Sequence, residues 1–391
     1  MKKKEVNSAR VPLYRDSGFE LYDAETTSEA FKKETLNERD PDIYIYSRYR
    51  NPTVVAAEEE VMKLEKCEWA LLTQTGMSAI DTAVSLFQHG NETRPWLFFT
   101  EIYGGTISFA ESILKKRRGL DIHSFNPVNE KYDLNEFEEV IKKLRPELIY
   151  IETISNPLLI VADVAGVAGI AGRYGVKVIV DNTFATSYLF RPLDYGADIV
   201  IHSATKYYSG HGNLTAGVIC GNDREIMNAA IEYRKFVGHM ISPDDAYRLT
   251  TQIKTFELRF ARQCENAFKL ASVLKSTDAI EKVYFPGLKV HATHYEAVKI
   301  LANERFGAMI TFDFSGESED IKRKRRDNFI REVSEKIKLI PTLGDPQTIL
   351  MPVEAVWGAK YPEPGMIRLS IGIENYDELE RTISNALHHV G

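Results

Sequence analysis

The segment "ADIVIHSATKYYSGHG" (197–212) places a lysine directly after an apolar run that is typical of a buried strand. Ser203 and Thr205 lie on either side of Ala204, and Lys206 follows them. A surface lysine requires no such setting. The pattern therefore indicates an amine that is held among hydroxyl groups at the end of a strand.

Composition narrows the class of protein to which this segment belongs. The chain has 391 residues, of which 44% are hydrophobic and 27% charged, as in a globular protein of two or three domains. The net charge of −7 argues against a nucleic-acid-binding surface. No apolar run is long enough to span a bilayer. The three cysteines, Cys67, Cys220 and Cys264, show neither a CxxC motif nor disulfide spacing, which predicts a cytoplasmic setting.

Apolar strands alternate with helices between residues 56 and 245, which we interpret as one domain. Helices are predicted over 56–66 and 76–87. Continuous apolar strands separated by helices are typical of a mainly parallel sheet covered on both faces, with ligands at the carboxyl ends of its strands. A TIM barrel would require eight repeated units. The predicted strands are 69–73, 94–101, 146–153, 176–183, 197–204 and 215–221.

The two ends of the chain lack this alternation of apolar strands and helices. Residues 1–55 are polar and aromatic, and "DIYIYSRYRNPT" (42–53) is too aromatic for a disordered tail, so we expect an extended arm that docks on another surface. Residues 246–391 are interpreted as a smaller α+β domain that follows a long helix over 244–274. The charge run "KRKRRD" (322–327) is either an anion site or, as we favour, a solvated helix face.

Functional side chains follow the predicted strands at their carboxyl ends. A lysine, an aspartate and a glycine turn at a helix start suit pyridoxal 5′-phosphate (PLP), whose aldehyde, pyridine nitrogen and phosphate need different partners. The lysine can form an imine, the aspartate can keep the pyridine nitrogen protonated, and the backbone amides can bind phosphate. The candidates at this edge are Gly76, Met77, Tyr103, Asn156, Asp181, Ser203, Thr205 and Lys206.

The segment "DNTFATSYLFRPLDYGADIVIHSATKYYSGHG" (181–212) resembles the signature of the Cys/Met-metabolism, or trans-sulfuration, family of PLP enzymes. The resemblance implies the fold type I PLP-dependent transferase architecture, an α/β fold with a mainly parallel, seven-stranded-type sheet and a smaller C-terminal domain. Further segments occur in the family's order: "YSRYRNPT" (46–53), "TGMSAI" (75–80), "YGGT" (103–106), "ETISNP" (152–157), "FPGL" (285–288), "TLGD" (342–345) and "IRLSIGIE" (367–374).

The resemblance also implies roles for the residues around the cofactor. Lys206 is expected to be the Schiff-base lysine and proton carrier, and Asp181 to pair with the pyridinium. Tyr103 is expected to stack on the ring and to exchange protons with substrate, with Thr183 on the ring's other face. The phosphate is expected to be held by Gly76, Met77, Ser203 and Thr205.

A second group of residues is implied for the substrate and the subunit interface. Arg368 is expected to bind the α-carboxylate of an amino-acid substrate, with Thr342 nearby and Asn156 bonded to both the substrate and the cofactor's phenolic oxygen. Tyr46 and Arg48 match residues that reach the phosphate of a neighbouring subunit, so the resemblance implies that the arm of residues 1–55 contacts that subunit. The resemblance therefore implies a homotetramer, built as a dimer of dimers with shared active sites.

The expected reaction is γ-elimination or γ-replacement on a sulfur-containing or O-acylated homoserine-type amino acid. "TLGD" (342–345) lacks the tryptophan that β-lyases tend to carry in its second position, which favours γ-chemistry. A β-lyase, an O-acetylhomoserine sulfhydrylase, an aminotransferase on the same fold and an inactive PLP-fold protein are the alternatives. No metal is expected, because the spacing of His202, His211 and His239 matches no ligand pattern.

Three departures from the resemblance concern the substrate pocket. Gly105 stands where methionine γ-lyases carry a cysteine, and Asn213 replaces a usual aspartate. The segment 351–366 is short and carries Trp357-Gly358 in place of the usual Thr-His. These departures affect the expected substrate and leave the expected cofactor site intact.

Overall fold

Two β-sheets organise the chain in the computed structural model, which describes residues 8–34, 36–88, 90 and 94–390. The first sheet consists of β1 Trp69–Thr73, β2 Trp96–Phe99, β3 Ile122–Phe125, β4 Leu148–Glu152, β5 Lys177–Asp181, β6 Ile199–His202 and β7 Gly217–Gly221. The second consists of β8 Ile280–Tyr284, β9 Met309–Phe314, β10 Lys338–Leu339, β11 Ile349–Pro352 and β12 Met366–Ser370.

Helices cover both sheets. Those of the first half are α1 Ala24–Glu34, α2 Pro52–Glu65, α3 Gly76–Ser85, α4 Gly104–Phe109, α5 Leu134–Leu144, α6 Val164–Arg173, α7 Thr186–Leu189 and α8 Arg224–Val237. They continue with α9 Pro243–Gln252, α10 Phe256–Lys275, α11 His294–Ile300, α12 Glu319–Val333, α13 Val353–Trp357 and α14 Tyr376–His389. No helix of the described chain combines the length and apolar character that a membrane span needs.

The seven-stranded sheet has the order β1-β7-β6-β5-β4-β2-β3. Its pairs are parallel except for β7, which runs antiparallel to both β1 and β6. Because β7 lies reversed between them, β1 and β6 point the same way and their carboxyl ends reach the same edge. This arrangement confirms the predicted mainly parallel seven-stranded sheet.

The strands with continuous apolar sequences are buried on both faces of the sheet. Strands β1, β4 and β7 are buried at every position, and β5 at all but its first residue. Helices on both faces exclude water from such strands. The edge strand β3, with sequence IHSF, is buried only at Phe125 and was not among the predicted strands.

The second sheet, of order β10-β11-β12-β9-β8, packs against helices α10, α12 and α14. Successive side chains on a strand face opposite sides. Ile367 and Leu369 of β12 therefore lie in the apolar core, and Arg368 between them faces the other way. The predicted long helix over 244–274 is two helices, because a turn of 3₁₀-helix at Ile253–Thr255 separates α9 from α10.

The N-terminal segment from residue 8 packs against helices of its own chain. It contains helix α1, so the prediction of an extended conformation is wrong for residues 24–34; residues 1–7 lie outside the described part. Arg15 donates three hydrogen bonds to Asp244, and Arg48 donates to the carbonyl of Lys235 at 2.6 Å. The segment is thereby fixed to α8 and α9.

Candidate active site

A cavity of about 270 Å³ lies at the carboxyl edge of the large sheet. Eleven of the thirteen site residues that the sequence predicts line it: Gly76, Met77, Tyr103, Asn156, Asp181, Thr183, Ser203, Thr205, Lys206, Thr342 and Arg368. The sequence prediction missed the other lining residues: Thr75, Ile80, Glu152, Ile154, Phe184, Thr215, Pro341 and Leu343. The cavity thus joins the ends of β1, β4, β5 and β6 to β12 of the second sheet.

Lys206 follows β6 and points its amine into this cavity. Its Nζ donates to Oγ1 of Thr342 at 2.8 Å. Burial and, to a smaller extent, the positive charge of Arg368 lower the pKa of Lys206 to about 8, whereas Asp345 acts in the opposite direction. A buried amine with a lowered pKa is a nucleophile near neutral pH.

Asp181 ends β5, and its carboxylate is fixed by its neighbours. Thr183 donates to Oδ1 of Asp181 from its amide at 3.0 Å and from its hydroxyl at 2.5 Å. The hydroxyl of Tyr150 donates to Oδ2 at 3.3 Å. Burial raises the pKa of Asp181, and these hydrogen bonds oppose the rise. An oriented carboxylate in a dry site is suited to pair with a buried cation.

Glu152 is a second buried carboxyl group at this edge. It lies opposite Asp181 in the register of β4 and β5, and it accepts a hydrogen bond from the backbone amide of Tyr103 at 2.6 Å. Burial raises the pKa of Glu152 well above its usual value, and the charge of Asp181 adds to the effect. The sequence signal for Glu152 was its position, next to last in the predicted strand 146–153.

The start of α3 forms a narrow cradle of backbone amides beside Ser203. Thr75 caps α3 by accepting a hydrogen bond from the amide of Ser78 at 3.0 Å. A Cβ on Gly76 would lie 3.0 Å from Cβ of Ser203, so the two loops approach as closely as a glycine permits. Free amides at a helix start that face a hydroxyl group are suited to bind a phosphate.

The two loops meet across the first residue of β7. A Cβ on Gly217 would lie 2.2 Å from the carbonyl oxygen of Thr75, a distance that no side chain could occupy. The hydroxyl of Thr205 donates to the carbonyl of Ala216 and accepts from its amide at 2.9 Å. The Thr205 hydroxyl proton is therefore already used within the fold.

Arg368 lies across the cavity from the sheet and is 5% exposed. It donates to Oδ1 of Asn156 at 2.9 Å and to the carbonyl of Thr342 at 3.2 Å. Its Nε is buried and has no hydrogen-bond partner within the described chain. A fixed guanidinium with an unpaired donor in a cavity is suited to bind a carboxylate.

Tyr46 and Arg48 do not line the cavity of their own chain. The guanidinium of Arg48 lies 5.6 Å from the ring centre of Tyr46 and 5.0 Å from that of Tyr49. Tyr46 remains 39% exposed. The two predicted residues therefore form an aromatic and cationic surface that is separate from the site in the same chain.

The three histidines of the lysine region have other partners. His202 bonds to the buried carboxylate of Glu65 at 2.5 Å, His211 to the carbonyl of Ser209, and His239 to Thr82. Across the described residues, the structure contains no group of three or more His, Cys, Asp or Glu that could hold a metal.

The structure shows what two of the three departures from the family pattern, Gly105 and Asn213, contact. Gly105 faces the ring of Tyr103, because a Cβ on it would lie 2.4 Å from Cε1 of that ring. Asn213 does not line the cavity; its Oδ1 accepts a hydrogen bond from Gln252 at 2.9 Å. Gly105 therefore affects the site directly, and Asn213 supports the loop that follows Lys206.

These observations fit the chemistry of PLP. The amine of Lys206, the carboxylate of Asp181 and the amide cradle at Gly76 match an aldehyde, a pyridine nitrogen and a phosphate. When bound, PLP withdraws electrons from the α-carbon of an amino acid. The guanidinium of Arg368, with its unpaired Nε, is suited to the carboxylate of such a ligand.

Comparison with known proteins agrees with this assignment. The chain is 32% identical to L-methionine γ-lyase of Fusobacterium nucleatum subsp. polymorphum over 97% of this chain and 93% of that protein. It is 31% identical to cystathionine β-lyase of Lactococcus lactis subsp. cremoris over 98% of this chain and 95% of that protein.

A solved structure and a family model point to the same relationship. Cystathionine γ-lyase from Lactobacillus plantarum complexed with L-serine superimposes with a TM-score of 0.83, at 27% identity over 97% of this chain and 93% of that chain. The model described as "Cys/Met metabolism PLP-dependent enzyme" matches residues 1–388. The fold is fold type I of the PLP-dependent enzymes. The chain therefore belongs to the Cys/Met-metabolism family of PLP-dependent enzymes, and pyridoxal 5′-phosphate is its cofactor.

Proposed function

We propose that this PLP-dependent enzyme cleaves or replaces the γ-substituent of a sulfur-containing or O-acylated homoserine-type amino acid. The observation that carries the proposal is one cavity that contains a buried amine of lowered pKa at Lys206 and a carboxylate-binding guanidinium at Arg368. The similarity to a methionine γ-lyase supports cleavage at the γ-position.

Arg368 orients the substrate in this proposal. It binds the α-carboxylate through its unpaired Nε, while Asn156 and the carbonyl of Thr342 keep the guanidinium in place. Holding the carboxylate fixes the direction of the bond from the α-carbon to its proton, and orientation of this kind lowers the barrier to reaction. An ammonium group at this position would lack the planar donor pair.

Lys206 moves the protons. Its neutral amine takes the α-proton and gives it up again before it takes a β-proton. One of the two protons goes to the leaving sulfur or oxygen, from Lys206 or from Tyr103 of the same cavity, and the other returns to carbon in the product. Thr342 orients Nζ through the 2.8 Å hydrogen bond. A base whose pKa is near 8 is suited to both removing and returning a proton near neutral pH.

Asp181 and the glycine turn hold the cofactor. Asp181 pairs with the pyridine nitrogen, and Thr183 keeps the carboxylate in position through its two hydrogen bonds to Oδ1. The amides of Gly76 and Met77 and the hydroxyl of Ser203 bind the phosphate. Thr205 supports that loop through Ala216.

The assembly is part of the proposal. Tyr46 and Arg48 reach the phosphate of a neighbouring subunit, within a homotetramer built from two dimers with shared active sites. Their distance from the cavity of their own chain supports this assignment. The enzyme acts in the cytoplasm, a location supported by the three free cysteines.

A β-lyase is the second candidate, because the chain is 31% identical to a cystathionine β-lyase. The two reactions differ in the bond that breaks. Cleavage at the γ-carbon of cystathionine, with uptake of water, releases cysteine, ammonia and 2-oxobutyrate. Cleavage at the β-carbon releases homocysteine, ammonia and pyruvate.

The test is to incubate the purified holoenzyme separately with cystathionine, methionine, homocysteine, cysteine and O-acetylhomoserine, with and without a thiol acceptor. We expect 2-oxobutyrate and ammonia, or a thioether when the acceptor is present. Pyruvate as the main product from cystathionine would contradict γ-cleavage. A pyridoxamine form of the cofactor, with no ammonia released, would indicate transamination instead.

Borohydride reduction tests the position of the cofactor. We expect the reduced holoenzyme to carry the cofactor's added mass on the peptide that contains Lys206. The Lys206→Ala variant should lose this mass, whereas Lys299→Ala, which removes a surface lysine paired with Asp163, should retain it. A label on any other lysine would overturn the assignment.

A further inference from the structure

The short segment of residues 353–361, which we call the capping segment, is fixed at both of its ends. At its start, the carboxylate of Glu354 accepts hydrogen bonds from Arg323 at 2.8 Å and from Arg326 at 2.9 Å. Both arginines belong to the charge run "KRKRRD" (322–327) of α12. The preference for a solvated helix face is therefore wrong for Arg326, whose side chain is 11% exposed, whereas Arg323 stays 37% exposed.

The other end of the capping segment is fixed to the large sheet. The hydroxyl of Tyr361 donates to Glu101 at 2.5 Å, and Nζ of Lys360 donates to the carbonyl of Thr100 at 2.8 Å. Tyr361 and Glu101 are both buried. The capping segment thus connects α12 of the second sheet with the loop that follows β2.

Trp357 lies between these two anchors, near Arg368 of β12 and near Gly104 at the start of α4. Its indole ring centre is 5.3 Å from Cζ of Arg368, within the range of a cation–π interaction. A Cβ on Gly104, next to Tyr103, would lie 3.7 Å from Nε1 of the indole. The side chain is partly buried and packs against an apolar cluster around Val353.

The hydrogen bonds of Arg368 determine what the stacked indole of Trp357 can do. Two of its nitrogens are bound by Asn156 and Thr342, and its Nε has no protein partner. An aromatic face over a guanidinium keeps water from that face without using any of its N–H donors. The donors in the guanidinium plane therefore remain available to a ligand.

We propose that Trp357 is a positioning residue for carboxylate recognition, which covers one face of Arg368 and holds its free edge toward the ligand. This inference rests on the proposed function, because it takes Arg368 as the group that binds the α-carboxylate. It assigns to the shortened segment 351–366 a role that acts on every amino-acid substrate alike. Selection among leaving groups is left to other parts of the cavity.

The test compares two unreactive ligands that differ only in the carboxylate. L-Norleucine and pentylamine share the amine and the alkyl chain, and neither carries a leaving group at the γ-carbon. Their dissociation constants are measured from the change in the cofactor's absorption in the holoenzyme. We expect Trp357→Ala to weaken norleucine binding about tenfold and to leave pentylamine binding within about twofold.

Three further variants separate positioning from general damage. Trp357→Phe keeps an aromatic face and should restore most of the norleucine affinity. Glu354→Gln loosens the arginine anchor and should weaken norleucine alone, by a smaller factor. Tyr295→Ala removes an exposed aromatic side chain from α11 and should change neither constant.

Each outcome bears on one of the two proposals. If Trp357→Ala weakens both ligands equally, or neither, the positioning role of Trp357 is overturned. If the wild-type holoenzyme itself binds norleucine no better than pentylamine, Arg368 is not the carboxylate site, and that part of the proposed function fails. Selective loss of norleucine binding in Trp357→Ala and Glu354→Gln supports the inference.

Discussion

The amine of Lys206 donates to the hydroxyl of Thr342 at 2.8 Å, which joins the end of β6 to the segment that precedes β11. The reactive amine of one sheet is therefore oriented by a residue of the other. Both charged groups that act on the pKa of Lys206, Arg368 and Asp345, also come from the second half of the chain. The electrostatic setting of the lysine depends on how the two sheets meet.

A pH dependence follows from the lowered pKa of Lys206. Only the neutral amine adds to an aldehyde, so the rate at which cofactor-stripped protein takes up PLP should rise with pH. Burial and the charge of Arg368 lower the pKa of Lys206 from 10.5 to about 8, so the midpoint of this rise should lie near pH 8. Stopped-flow absorbance across the pH range measures it.

Two substitutions should move that midpoint in opposite directions. Arg368→Gln removes a positive charge that lowers the pKa of Lys206, so the midpoint should shift to higher pH. Asp345→Asn removes a negative charge that raises it, so the midpoint should shift to lower pH. A midpoint that is the same in all three proteins would show that neither charge acts on the amine.

The contact between Gly105 and Tyr103 predicts a loss of activity without a loss of stability. In Gly105→Ala the new methyl group would lie 2.4 Å from Cε1 of the Tyr103 ring, so the ring must move. Displacement of a group in the site by about 1 Å should lower kcat by roughly 10- to 100-fold. Steady-state kinetics and thermal melting measure the two effects.

Gly104→Ala is the matched control, since both glycines belong to α4 and gain the same helix propensity. Its methyl group would lie 3.7 Å from Trp357, an ordinary contact distance. We expect Gly104→Ala to keep most of kcat. Equal losses in the two variants would mean that the helix, and not the Tyr103 ring, is disturbed.

A stability prediction concerns the buried carboxylate of Glu58 on α2. It accepts hydrogen bonds from Arg234 and Arg50 at 2.8 Å each and from the amide of Leu72 at 2.9 Å. Glu58→Gln would leave two buried arginines without a counter-charge and should lower the free energy of unfolding by about 3–5 kcal/mol. Urea denaturation measures the difference.

The carboxylate of Glu60, whose side chain is 20% exposed against 1% for Glu58, provides the comparison. It pairs with Lys63 and Lys254 at the surface of the same helix. Glu60→Gln should cost less than about 1 kcal/mol, because surface ion pairs contribute little. Similar losses for Glu58→Gln and Glu60→Gln would refute the importance of burial.

Subunit mixing tests the proposed shared site. Lys206→Ala and Arg48→Ala should each be nearly inactive, because each site would lack one of its two residues. In a coexpressed mixture, half of the dimers are mixed and each mixed dimer has one intact site, so about one quarter of wild-type activity should return. No recovery, with mixed dimers confirmed by mass, would place Arg48 in a site of its own chain.

Much of the large sheet could be predicted because its strands are continuous apolar runs. Strands β1, β5 and β6 lie within the predicted ranges, and the side chains that follow them line one cavity. Parallel strands bring their carboxyl ends to one edge, so a local pattern was sufficient to group distant residues. The position of Arg368 opposite them came from the resemblance alone, since it belongs to another sheet.

Other features depend on contacts that no local pattern reveals. Strand β3 is an edge strand with mixed polarity, and α1 buries only Ala30, so neither carries a strong periodic signal. From the sequence, Arg323 and Arg326 were predicted to lie on a solvated helix face, because their partner Glu354 lies 28 residues or more further along the chain. The stacking of Trp357 on Arg368 likewise depends on those anchors.

The absence of a side chain at Gly217 affects the position of helix α3, which lies beyond its own strand. Because β7 begins directly beneath the carbonyl of Thr75, any larger group there would push the start of α3 away from the lysine loop. A position without a functional group thus sets the width of the cradle of backbone amides at the start of α3. Screens that look only for reactive side chains would overlook Gly217, although even alanine there should abolish tight retention of a phosphorylated cofactor while sparing its unphosphorylated form.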